Sequence, residues 1–137
     1  MVQILQMEDY PLSGQYRFQG HLIIFQTNKT MEYTYSGKED RATAEHLQAG
    51  ETCKVTGYGN SMTPILASGQ SVIVEPVTKD TVLEKRDIVL CKVKGHHYLH
   101  FIHSIKKGKS FLIGNNHGHM NGWVSKSKIY GVVREIL

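Results

Sequence analysis

Residues 58–74 read YGNSMTPILASGQSVIV, and how this stretch is read decides the fold. Gly59, Pro64 and Gly69 punctuate it, and an apolar run opens at Ser71. Glycine lets backbone approach closely and proline stiffens the chain, so 59–64 is a constrained loop rather than part of a helix. Ser71–Glu75, rich in valine and isoleucine, reads as the strand that follows. The serine at 61 is then either a plain turn residue or a nucleophile at the mouth of a groove.

Outward from this loop the chain is a string of short strands. Thr52–Gly57, Ser71–Glu75, Asp87–Val93, Tyr98–Ile105, Ser110–Ile113 and Ile129–Ile136 carry the β-branched and aromatic residues. Lys94-Gly95-His96 and Lys107-Gly108-Lys109 read as hairpin turns between consecutive strands. Upstream, Gln15–Gln26 reads as one long strand that pairs with Met31–Tyr35 in a hairpin over 15–35. Glu39–Gln48 is the one short helix, with Ala42, Ala44 and Leu47 spaced for one face and Gly50 to end it. The expected fold is mainly β and partly barrel-like, with a β-rich accessory segment over 1–50 packed on a core domain over 51–137.

A chain of 137 residues with 40% apolar and 20% charged residues buries a real core and is not a disordered segment. Its longest apolar runs, such as Leu22–Phe25, fall far short of the roughly 20 residues a membrane helix needs. No basic region followed by an apolar stretch marks the start as a secretory signal, so a soluble, cytoplasmic protein without a membrane partner is expected. Cys53 and Cys91 sit in apolar strand contexts and are expected to be free core thiols. Residues 91–137 carry eight Lys or Arg against Glu135 alone, whereas 1–90 carry an acidic excess. That basic half suits an acidic or nucleic-acid partner, or is simply a solvated face.

A serine hydroxyl becomes a nucleophile only when a base takes its proton. His103 is the first candidate for Ser61 and His100 the second, because alternation along a strand puts His97 and His103 on one side and His100 on the other. The remaining histidines raise a rival reading, a metal held by His103, His117 and His119. Zinc sites need three or four converging ligands, and the H-x-H of 117–119 has no such spacing behind it, so no metal or other cofactor is expected. Trp123 is expected to be packed, given the area a tryptophan buries.

The order of these elements resembles the LexA and signal-peptidase superfamily of serine peptidases. Gly59-Asn60-Ser61-Met62-Thr63-Pro64 with Gly69 is similar to its G-x-S-M-x-P…G-D box, and Arg86-Asp87-Ile88-Val89 to its G-D-I-V strand. Phe101–Ile105 falls at the box that holds the base, Gly114-Asn115-Asn116 at G-D-N, and Ile129–Val133 at the terminal I-x-G-x-V strand. The resemblance implies an endopeptidase acting on a protein or peptide by a Ser61–His103 dyad, with the Ser61 N–H meeting the oxyanion and Gly59 and Met62 near the substrate. It also allows self-processing, for which Ala49-Gly50 offers a small-residue bond. Gln70 and Asn115 stand where the family carries aspartate, and no aspartate follows Asp87. Asn115, Asn116 or Asn121 would therefore hold the imidazole. The alternative is a peptidase-like fold kept as a non-catalytic binding or regulatory protein.

Overall fold

The computed structural model describes Tyr33–Leu137 throughout and, before it, the backbone of β1 (Ser13–Phe18) and β2 (His21–Gln26). The chain divides into two compact units, Met1–Glu32 and Tyr33–Leu137. β1 and β2 pair antiparallel, with Ser13 opposite Gln26 and Phe18 opposite His21. The single strand expected over 15–26 is thus two. Gly20 in the intervening sequence is the turn signal that the one-strand reading passes over. Of the expected return strand, Met31 and Glu32 lie outside the described residues, and Tyr35 instead opens β3 (Tyr35–Lys38).

β3 runs parallel to β4 (Cys53–Gly57), with Tyr35 opposite Cys53, and α1 (Arg41–Gln48) joins the two. Asp40 caps the helix, its Oδ1 accepting from the Thr43 N–H at 3.0 Å. Gly50, at φ +90°, ends it, and its N–H donates to Leu47 O. That left-handed backbone is one that glycine adopts without a Cβ penalty. Ala49 and Gly50, the bond considered for self-cleavage, close the helix with backbone hydrogen bonds. Because β3 is paired and Ala44 and Leu47 are buried, residues 33–50 belong to the same unit as 51–137, and the boundary falls after Glu32 rather than after Gly50.

The second unit is built on an eight-stranded sheet in the order β3-β4-β5-β10-β6-β7-β8-β9, with β3 and β9 at its edges. The later strands are β5 (Gln70–Pro76), β6 (Ile88–Val93), β7 (His96–Lys106), β8 (Ser110–Gly114), β9 (Met120–Ser125) and β10 (Ile129–Ile136). The mainly β architecture with one helix is as expected, in an open sheet; β3 and β9 are additions to the expected strands. Both hairpin turns have paired residues at positive φ, Lys94 (50°) with Gly95 (84°) and Lys107 (54°) with Gly108 (65°). This is the backbone that matches the twist of the flanking strands.

The sheet buries apolar side chains on both faces. Leu47, Cys53, Val55, Val72, Val74, Leu90 and Phe101 form one cluster, and Val89, Cys91, Ile102, Phe111, Ile113 and Val132 another. β6 alternates between the two, which is why Ile88-Val89-Leu90-Cys91 reads as an unbroken apolar run. Cys53 and Cys91 are free and buried; burial pushes the Cys53 thiol up to about 11, with Glu51 adding to it, and the Cys91 thiol up to about 12. Trp123, expected to pack, is 49% exposed on the edge strand β9. Among the described residues no helix is long and apolar enough to cross a membrane.

α1 rests on the sheet where β10 has no side chain. A Cβ at Gly131 would overlap Val74 Cγ1 and lie 2.9 Å from Leu47 Cδ1. Gly131→Ala is therefore expected to destabilise the unit by about 1–3 kcal/mol, the usual cost of overpacking. Urea unfolding reads this directly, and an unchanged midpoint would mean that Val74 and α1 both give way at no cost.

Candidate active site

Ser61 sits in the loop between β4 and β5, and the loop is closed at its base by the Gly69 N–H donating to Gly57 O at 2.8 Å. Gly59 (φ +100°) and Gly69 (φ +83°) occupy left-handed backbone that side-chain-bearing residues rarely take. The Gly59 N–H donates to Ser68 Oγ at 3.0 Å. Met62 and Leu66 point into the core and anchor the loop from beneath, with Met62 4% exposed. Met62, singled out for substrate, is thus chiefly an anchor that also borders the cavity described below.

The loop between β8 and β9 clamps this turn. The Asn116 N–H donates to Ser61 O at 2.9 Å, and Asn116 Nδ2 donates to Thr63 O at 2.8 Å. His117 Nε2 donates to Asn60 O at 3.0 Å and lies 3.1 Å from Thr63 Oγ1. Asn115 Oδ1 accepts from the N–H groups of His117 and His119, folding the clamp on itself. Gly114 makes the fold-back feasible, since a Cβ there would lie 2.6 Å from His119 O. Asn115 and Asn116, expected to orient the base, therefore brace the serine loop instead.

The imidazole beside Ser61 belongs to His100, whose Nε2 is 3.1 Å from Ser61 Oγ. Its far nitrogen, Nδ1, is 2.8 Å from Asn121 Oδ1. An amide oxygen only accepts, so Nδ1 carries the proton and the Nε2 lone pair faces the serine hydroxyl. Tyr98, two residues back on β7, stacks on the ring at 4.9 Å between centroids. His103 is not brought to Ser61; its Nε2 donates to the backbone oxygen of Asn115 at 2.8 Å. His100 and His103 lie an odd number of residues apart, so alternation alone keeps them from sharing a face. His103 is in addition the extra residue of a bulge, where the β7–β8 register shifts between Ile102 and Ser104. A second shift, between the partners of Ile113 and Gly114, singles out Asn121 on β9 in the same way. Gly122 beside it (φ +144°) is the sequence mark of that bulge, an isolated glycine within a strand.

Ser61, His100 and Asn121 line one cavity of about 480 Å³, with Gly59, Leu66 and Leu99 among its walls. His100 is 7% exposed, and burial lowers its pKa below the ordinary histidine value. The Asn121 hydrogen bond opposes the shift, whereas the nearby His119 and His103 add to it. The imidazole is thus held neutral, the form a general base needs. His117 and His103 spend their Nε2 atoms on protein oxygens, and among the described residues no three His, Cys, Asp or Glu side chains converge as metal ligands would.

This fold and this serine loop place the chain in a known class. The model of the Peptidase S24-like family matches residues 18–134, and the chain belongs to that family. No curated protein and no solved structure matches it. The match also covers residues 18–50, in keeping with β3 and α1 being integral to the second unit.

With its pKa depressed, folded His100 resists protonation while the unfolded chain protonates near the ordinary value of about 6.5. Above that pH His100 leaves stability unchanged; below it the unfolded state binds the extra proton and stability falls with pH. The urea midpoint of the wild type is expected to drop more steeply between about pH 7 and about pH 5 than that of His100→Gln. Parallel profiles would show that His100 takes its proton as readily folded as unfolded.

Proposed function

We propose that this chain is a serine endopeptidase with Ser61 as nucleophile, His100 as general base and Asn121 as the residue that holds the base. The observation that carries it is the relay from Ser61 Oγ to His100 Nε2 (3.1 Å) and from Nδ1 to Asn121 Oδ1 (2.8 Å) inside a cavity. In this reading Ser61 gives its proton to Nε2 as Oγ attacks the peptide carbonyl carbon. The Ser61 N–H, which has no acceptor among the described residues, meets the oxyanion. The imidazolium returns its proton to the departing amine, and water, activated by the same ring, releases the acyl group.

Asparagine fixes the tautomer as a carboxylate would, yet adds no charge to stabilise the imidazolium. Turnover is accordingly slow, and Asn121→Asp is expected to raise it by about tenfold or more, measured on a quenched peptide pool. A rate that falls would place Asn121 outside the relay.

Fluorophosphonate labelling and peptide hydrolysis at about pH 8, where the imidazole is neutral, test the assignment together. Ser61→Ala and His100→Ala are expected to lose about 10³-fold or more in both, and His103→Ala to keep most of each. The reverse pattern would return the base to His103. The uncharged Asn121 also favours a second reading, a peptide-binding or regulatory protein on the peptidase fold. A folded wild type inert in both assays supports that one. The basic residues of 91–137 then point to an acidic or nucleic-acid partner, whose binding weakens with salt.

A further inference from the structure

The cavity that holds Ser61 also holds Glu39, from the junction of β3 and α1, and Glu39 is the one Asp, Glu, Lys or Arg among its lining residues. Its Oε1 accepts a long hydrogen bond from the Tyr58 N–H at 3.3 Å. Its Oε2 is shielded from solvent and has no hydrogen-bond partner among the described residues. The Arg–Glu ion pairs of this unit lie elsewhere, at Arg41–Glu45 and Arg134–Glu75, and Glu51 hydrogen-bonds His46. Lys38, adjacent in sequence, lays its ammonium over the Tyr58 ring, 5.3 Å from the centroid. A carboxylate oxygen kept dry without a donor is costly, and an arriving cation removes that cost.

The remaining walls say what kind of cation fits. Met62, Leu66 and Leu99 are apolar and buried, while Tyr58 is 57% exposed. Tyr98, His97, His119 and three asparagines line it as well. Walls that offer apolar surface, aromatic rings and a single carboxylate match a side chain that has an aliphatic stem and a charged head. We propose that this cavity is a subsite for a lysine or arginine side chain of the bound peptide, its stem along Met62, Leu66 and Leu99 and its head at Glu39. Since Glu39 and Ser61 share the cavity, the recognised residue lies close to the bond presented to Ser61. This inference rests on reading the cleft as peptide-binding.

The test uses the full chain with Ser61→Ala, so that binding is measured without turnover. N-acetylated peptides identical except for lysine or its uncharged isostere norleucine are compared by fluorescence anisotropy, alongside the norleucine peptide with a free N-terminus. Ser61→Ala is expected to bind the lysine peptide about tenfold more tightly than norleucine, the low end for a close charge pair. Ser61→Ala/Glu39→Gln, which keeps the shape and the acceptor for Tyr58, is expected to bring that ratio close to one. Ser61→Ala/Glu39→Asp keeps part of it, and thermal unfolding of each variant shows that the fold is retained. A ratio near one in Ser61→Ala, a ratio unmoved by Glu39→Gln, or no binding of either acetylated peptide overturns the subsite. Tighter binding of the free N-terminus than of acetylated lysine overturns it in favour of a terminal ammonium site. Hydrolysis by the wild type is read separately. Lysine-selective binding without cleavage leaves the subsite standing and removes the peptidase, whereas cleavage without selectivity does the opposite.

Discussion

Three carbonyls in the serine loop, those of Asn60, Ser61 and Thr63, find their donors in the loop between β8 and β9. A loop without its own ladder must satisfy its backbone by turns and by partners. This one bonds partly to itself, as Thr63 N–H to Asn60 O and Leu66 N–H to Met62 O, and takes the rest from that one neighbour. The same hairpin, on its β9 side, carries Asn121 to the far nitrogen of His100. One supersecondary unit thus sets the backbone of the serine from one end and the tautomer of the imidazole from the other. Displacing it would loosen both partners of the 3.1 Å contact together.

The two bulges give that hairpin its aim. Regular pairing would carry period-two alternation through β7 and β9, and the side chains at 103 and 121 would fall on whichever face parity dictates. The extra residues at Asn121 and His103 break that rule. Asn121 reaches the cavity, and His103 is turned to the Asn115 carbonyl. His103 still contributes, because its bond holds the segment that clamps Ser61.

The boxes around Ser61, the helix ended by Gly50 and both Lys-Gly turns were legible because each rests on local chemistry: glycine at positive φ, a capped helix, β-branched runs. Arg86 shows local chemistry set aside. It stands where the resembled motif has glycine and adopts φ +75°, with its guanidinium 4.2 Å from the Phe101 ring. The choice between His100 and His103 was not legible, since alternation says that the two face opposite ways but not which face meets the serine loop. β9 escaped because Met120-Asn121-Gly122 has little strand character. β3, a short Tyr-Ser-Gly-Lys edge, gains its place only from parallel pairing with β4. The isolation of Glu39 is a tertiary fact with no counterpart in the order of residues.

Each apolar layer of the sheet contains a single sulfhydryl, Cys53 in the one and Cys91 in the other. Both are sealed from water and strongly disfavour the reactive anion. Alkylation in native buffer therefore waits for the layer around each sulfur to open, and the two sulfurs keep separate time. The protein comes with two internal clocks, one per face, by which breathing beneath α1 can be timed independently of breathing on the opposite side.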